Sequence, residues 1–296
     1  MGRLLYRVSP SIPTMRNGRP AELDSIFDNH FHLREDGLFL EAVMQFEREG
    51  GTCINLTNLP DYSLPADGYY GTLYGRTARI AAAVRRETSV KVVLTLGPYP
   101  LDYFFFSQAG RNPLEEMISG VSMAGGYVSR AEAGAIGEVG RPHFAVDEHV
   151  RDASNMVISE AMKTAADLGC PVILHTEDLD CGSLKSIEAM ATASGIDPGM
   201  VVKHHAEPEL LSCETAVARS VLATRPNARL AVESGKEFLL ETDYVDDPQK
   251  PGKVISPSSV PRRARYLVQE FPESVELLRK SFIEIPGRLY GTENIL

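Results

Sequence analysis

From residue 26 onward, short, mainly apolar runs alternate with longer amphipathic ones, and this alternation constrains the fold more than any other feature. The apolar runs are Ile26–Phe31, Thr52–Leu56, Val90–Leu96, Ala133–Val139, Pro171–His175, Met200–His205, Val217–Thr224 and Glu237–Tyr244. The helical runs are Leu38–Glu49, Thr72–Glu87, Pro113–Arg130, Ser154–Leu168 with Ser154 as N-cap, Gly182–Ser194 and Ala228–Lys236. Strands that are apolar on both faces belong to a parallel sheet covered on both sides. Eight of them over about 250 residues predict an α/β fold of the (β/α)8 TIM-barrel type. A doubly wound open sheet is the alternative, though it usually needs fewer repeats. Residues 26–296 then form a single barrel domain, and residues 1–25 an extension expected to be loosely ordered. No glycine-rich nucleotide fingerprint follows the first strand, so Gly134, Gly137 and Gly140 read as turn or close-packing glycines.

The net charge of −10 repels nucleic acid and anionic membranes as a whole. It favours a small anionic substrate, attracted locally, over a nucleic acid, and it is compatible with a homo-oligomer. Cys53, Cys170, Cys181 and Cys213 are scattered and form no CxxC pair. They read as reduced core thiols of a cytoplasmic protein. No run of about 18 apolar residues suggests a membrane span. The first 21 residues carry Arg3, Arg7, Arg16 and Arg19 but no acid and no apolar core, so a secretory signal is not expected. A loosely attached tail or an upstream start codon ahead of Met15 fits better.

Five of the seven histidines fall at the C-terminal ends of predicted strands. His30 and His32 lie two apart, so on a strand they face one side together. In a barrel that side is the mouth, where active sites form, and two converging imidazoles suit a divalent transition metal. Glu138, His175, His204, His205 and Asp243 recur at the same end of later strands. Buried carboxylates and imidazoles are costly unless paired or metal-bound, so their recurrence points to one assembled site.

The stretches Asp28–His32, Ala135–His143, Leu174–Asp178, Val202–His205 and Glu241–Pro248 follow one another in an order that resembles the amidohydrolase superfamily. They are most similar to the TatD-related metal-dependent hydrolases, in an archaeal-type branch. Pro286–Gly291 resembles the helix that closes such barrels. The resemblance implies a metallo-dependent hydrolase barrel holding one or two divalent ions, with Zn first and Mn, Mg, Ni or Fe as other choices. It implies that His30, His32 and Asp243 hold one ion, that Glu138 bridges, and that His175 with His205 holds the second. His204 is the alternative to His205, which is preferred because Ala206, a small residue, follows it. Asp243 would also be catalytic, accepting a proton as water activated on the metal attacks a phosphoester or amide-like bond. The same likeness admits a TatD-type deoxyribonuclease, or a non-hydrolytic decarboxylase or lyase.

Departures from the pattern bear on the substrate. Thr176, Glu177 and Asp178 stand where an arginine is usual, and Arg141–Pro142–His143 replaces a Leu-Asp-Tyr phrase. The added acids disfavour a DNA backbone. Arg141 could clamp a phosphate or carboxylate or pair with Glu177 or Asp178, and His143 could relay a proton or stand exposed. Phe104–Phe106 reads as a lid wall or as packing, and Asp61–Tyr70 as a mobile loop. The basic cluster Pro261–Arg265 opens a helix, with anion binding or a solvated face as its readings, and His149 is expected to be exposed.

Overall fold

A computed structural model describes residues 23–247 and 255–291, with two short strands, Met15–Arg16 and Arg19–Pro20, before them. Those two strands pair with each other antiparallel. Residues 1–14, 17–18 and 21–22 of the extension, with the looseness expected of them, and Pro248 lie outside the described residues, whereas Leu23 and Ser25 at its end are buried.

Eight parallel strand positions follow: β1 (Phe27–His32), β2 (Cys53–Thr57), β3 (Lys91–Leu96), β4 (Ala135–Gly140), β5 (Val172–His175), β6 (Val201–Ala206), β7 (Ala218–Leu222) and a last position in two pieces, β8 (Leu239–Glu241) and β9 (Tyr244–Val245). β8 pairs with β7, whereas β9 pairs with β1. The eighth strand is therefore broken at Thr242–Asp243, and its two halves bring the ends of the sheet together. The result is the expected TIM barrel, with helices on the outside.

The strands are buried on both faces, and apart from the polar residues near their C-terminal ends they are mainly apolar. Outward residues such as Ile54, Leu94, Ile136, Leu174, Val201 and Leu240 join the large core beneath the helices. Inward residues Phe27, Cys53, Val93, Ala135, Ile173, Val202 and Leu239 form a second, smaller core at the N-terminal end of the strands. The C-terminal helix closes that end, as Ile285, Leu289 and Tyr290 pack onto the inward residues. The Tyr290 hydroxyl donates to Asn29 Oδ1 at 2.7 Å.

The expected helices form as α1 (Leu40–Arg48), α2 (Tyr69–Glu87), α4 (Pro113–Ser129), α5 (Glu148–Leu168), α6 (Cys181–Ala193) and α7 (Arg225–Glu233), to which the fold adds α3 (Asp102–Gln108). Ser154 is not an N-cap. α5 starts six residues earlier, after Asp147, and the buried Ser154 hydroxyl donates to the Val150 carbonyl inside the helix. Phe104–Phe106 lies in α3 rather than in a loop, and Phe106 packs against Tyr69 and Tyr70. Those two tyrosines start α2 and are buried, so the end of the Asp61–Tyr70 stretch is packed core. In α8 (Ser259–Glu270) the basic cluster is spent on the neighbouring helix, Arg262 and Arg265 both reaching Glu49. His149 is exposed in the first turn of α5.

The β6–β7 connection carries no α-helix. A five-residue 3₁₀ turn, Pro208–Ser212, is followed by an extended strap over residues 213–217. Cys213 in the strap is disulfide-bonded to Cys181, the first residue of α6, which corrects the expectation of four reduced thiols. Cys53 and Cys170 are free and buried, as expected. Nothing in the spacing of 32 residues announces the bond, since the two cysteines meet only through the fold. No helix among the described residues is long and apolar enough to cross a membrane.

Candidate active site

Register shifts in three strands set the positions of the polar side chains. β1 carries one extra residue relative to β2 between Asp28 and Phe31, β4 one relative to β5 between Ile136 and Val139, and β6 one relative to β7 between Lys203 and Ala206. Each extra residue reverses the in-out alternation beyond it. Phe27 can thus face the barrel interior at one end of β1 while His30 and His32 face it at the other. On β4 the same device turns Glu138 inward with Ile136 and Val139 outward. Gly140 follows because β4 there runs against β5, where a Cβ would collide with the His175 carbonyl.

Glu138 is the hub. Its Oε2 lies 2.9 Å from His204 Nε2, 3.1 Å from His175 Nδ1 and 3.7 Å from His30 Nε2, and its Oε1 lies 3.7 Å from His32 Nε2. Asp243 joins through its Oδ1, 3.6 Å from His32 Nε2. Three groups of donor atoms, each mutually within 4.8 Å, result: His30, His32 and Glu138; Glu138, His175 and His204; and His30, His204 and Asp243.

The preference for His205 over His204 does not match this arrangement. His204 is buried in phase with the inward Val202 and reaches Glu138, whereas His205 sits at the β6 irregularity with φ +48° and its side chain is 45% exposed. Its Nδ1 lies 3.3 Å from Asp243 Oδ2. The small residue after His205 was therefore a poor guide, and the alternation running from Val202 the better one.

The tautomers follow from the surroundings. His32 Nδ1 is 3.0 Å from the Thr57 carbonyl, which can only accept, so Nδ1 carries the hydrogen and Nε2 presents a lone pair. His204 Nδ1 is likewise 3.3 Å from Glu241 Oε1. Both Nε2 lone pairs then point at the Glu138 carboxylate, an arrangement that is repulsive without a positive centre between them. A proton or a divalent cation satisfies it, and the N/O donor set fits such a cation. Without a metal the proton takes this place. Burial pushes the His204 imidazole down, but Glu138 and Glu241 outweigh it and bring it up to about 10. Burial pushes the Glu138 carboxyl up, yet the imidazoles of His204, His175 and His30 hold it well below the usual range.

Asp243 has φ +47° and sits in the break between β8 and β9. The break is braced by Asp28, which accepts from the Thr242 backbone N–H at 2.9 Å and from its hydroxyl at 2.8 Å. Burial pushes the Asp28 carboxyl up to about 8 against those hydrogen bonds. Asp246 braces the other side, accepting from the backbone N–H groups of Leu38 and Phe39 at 2.7 and 2.8 Å. Burial alone would raise the Asp243 carboxyl too, but contacts from His205 and His32 hold it far below its ordinary value.

Around this core, Arg141 takes the pairing role. Its Nε donates to Asn155 Oδ1 at 2.8 Å and its Nη1 to Glu177 Oε1 at 3.1 Å. His143 is exposed, but its Nδ1 lies 3.4 Å from His175 Nε2, which Tyr99 Oη also approaches at 3.4 Å. Arg141, His143, Phe144, Arg151 and Glu177 line a cavity of about 140 Å³ beside them. Sequence reasoning gave no role to Glu241, Asp28 or Tyr99. A signal existed for Glu241, an acid after two leucines in its strand; Asp28 stands among other polar residues of β1, and none marked Tyr99.

The match to known proteins is extensive. The model of the TatD-related DNase family covers residues 27–291. The chain belongs to that family. An uncharacterised protein of Methanocaldococcus jannaschii is 31% identical over 274 residues, covering 90% of this chain and 96% of the relative. Among solved structures, a TatD homologue of Escherichia coli K12 superimposes with a TM-score of 0.60 at 17% identity, over 90% of this chain and 98% of that one. An organophosphorus hydrolase of Deinococcus radiodurans gives 0.60 at 14% identity, over 95% and 99%. These two likenesses concern the fold. As a family member with this donor set, the TatD-related chain is a hydrolase that depends on a divalent metal.

Proposed function

We propose that this enzyme hydrolyses a phosphoester or amide-like bond in a small anionic substrate, at a site holding one or two divalent ions, zinc first among them. The observation that carries the reading is the set of imidazole lone pairs converging on Glu138, with the Nδ1–H groups of His32 and His204 fixed from behind. His30, His32, Glu138 and Asp243 would hold one ion, and Glu138, His175 and His204 the second. A bound divalent ion lowers the pKa of water and polarises the bond under attack.

The chain's own residues supply the rest. Asp243 enters ionised and partly open to the mouth, and accepts the proton from the attacking water at a carboxylate oxygen. Asp28 and Thr242 keep that carboxylate over the cluster. Arg141 and Arg151 on the neighbouring cavity offer charge to an anionic substrate group, with His143 at its edge. Glu177 beside them and the overall charge of −10 argue against a long polyanion.

The test is a hydrolysis screen with added Zn²⁺ or Mn²⁺ over single-stranded DNA, phosphomonoesters, phosphodiesters, lactones and N-acyl compounds. Metal-dependent turnover of a small anionic phosphoester or amide, abolished by chelation, is the expected result. Single-stranded DNA degraded faster than every small substrate would overturn the small-molecule reading in favour of a deoxyribonuclease. Metal-dependent release of CO₂ without addition of water would favour a decarboxylase.

A further inference from the structure

The other end of the barrel carries an arginine that the fold does not satisfy. Arg219 is on β7, where its outward-facing neighbour Val221 packs into the apolar layer beneath the helices. No helix covers β7 from the β6 side, because the strap over residues 213–217 takes its place. Arg219 is nonetheless only 9% exposed. Its Nη1 donates to the Thr215 carbonyl at 3.3 Å, and its buried Nε has no hydrogen-bond partner. A buried guanidinium with one long hydrogen bond is costly to the fold.

The carboxylates around it are committed elsewhere. Glu188 accepts from the Ala216 N–H at 2.9 Å, Glu214 lies 3.5 Å from the Lys236 amine, and Glu237 lies 3.1 Å from the Lys280 amine. Arg219 lines a cavity of about 350 Å³ together with Arg288, whose guanidinium makes no hydrogen bond or ion pair among the described residues. Apolar atoms of Val217, Leu239 and Ile285 line the same space, and the carboxylates of Asp197 and Glu237 sit on it too. Two guanidinium forks suit a two-oxygen anion. The acids limit the negative charge the cavity accepts, and Val217, Leu239 and Ile285 leave an apolar part of the wall for an organic body.

We propose that this cavity, at the face opposite the catalytic mouth, is a binding site for a small organic carboxylate gripped by Arg219 and Arg288. The carboxylate lies against the two guanidinium groups and the apolar body against Ile285 and Leu239. The site is separate from the metal cluster and stands whatever substrate the mouth takes.

Isothermal titration with benzoate, and separately with inorganic phosphate, on the wild type, Arg219→Gln and Arg288→Gln tests it. Any binding at the mouth is common to all three proteins and cancels in the comparison. The wild type is expected to take up one equivalent of benzoate that both variants weaken by about tenfold or more, as loss of a charge-assisted pair does. Metal-dependent hydrolysis is expected to be unchanged in both. Benzoate binding equal in all three proteins, or none to the wild type at millimolar concentration, would overturn the proposal. Phosphate bound more tightly than benzoate in a way that depends on Arg219 would overturn the carboxylate assignment. Arg288 is exposed, so its variant tests the site even if Arg219→Gln fails to fold.

Discussion

Along the same strands, the barrel interior is apolar at one end and almost wholly polar at the other. β5 presents Ile173 and then His175, β6 Val202 and then His204, and β8 Leu239 and then Glu241. On these three strands ordinary alternation is enough, because residues two apart share a face. β1 and β4 need an inserted residue to bring His30, His32 and Glu138 onto the face already used by Phe27 and Ala135. The floor works by burying apolar surface, and apart from Arg219 on its rim it gathers no cluster of charged groups among the described residues. The mouth gathers acceptors that face one another, an arrangement stable only with a cation or proton among them. Stability therefore resides mainly at the floor and chemistry at the mouth, and substitutions at the two ends should separate these properties.

The sharpest separation is expected from Asp243→Asn. Removing a carboxylate that is both an ion ligand and the proton acceptor should lower turnover by about 10²–10⁴-fold, with the melting temperature nearly unchanged. Thermal unfolding beside kinetics checks it, and retained activity would remove Asp243 from the reaction. Next comes the strap that joins the two ends. Reduction, or Cys213→Ser, opens a cross-link spanning 32 residues and should cost about 4 kcal/mol in denaturant unfolding, as loop-closure entropy predicts. A smaller effect should follow Glu241→Gln, which loosens the hold on His204 Nδ1. Metal affinity should fall by about 10–100-fold, measured by competition with a chelator, with little change in the fold. The smallest is Tyr290→Phe at the floor. Losing the hydroxyl that serves Asn29 should cost about 1–2 kcal/mol of stability and leave the kinetic constants alone. Impaired catalysis in this last variant would break the division between the ends.

The strand-helix alternation was legible because it is a period, and a period survives without tertiary knowledge. The strand-end acids and imidazoles were legible because they interrupt apolar runs. The choice between His204 and His205 was not, since Val201 and Val202 are both apolar and a strand buried on both faces does not reveal which residues point inward. The bulges are invisible for the same reason, as their effect is a phase and no residue type marks it. Cys181 and Cys213 illustrate a further loss: the missing helix between β6 and β7 brings them together, and that absence leaves no motif. Arg219 was overlooked because a lone arginine in a strand reads as solvated unless the depth of its position is known.

The broken eighth strand also bears on the order in which the molecule assembles. The Asp28–Thr242 hydrogen bonds join residues 214 positions apart, so they belong to the most non-local contacts of the chain. Closing a loop of that length carries a large entropic cost before any contact offsets it, and such pairings form late. During synthesis, β1 with His30 and His32 leaves the ribosome long before Asp243 does. The site around the histidine pair is completed only when the last strand arrives, and a complete metal site therefore reports that the ring has closed.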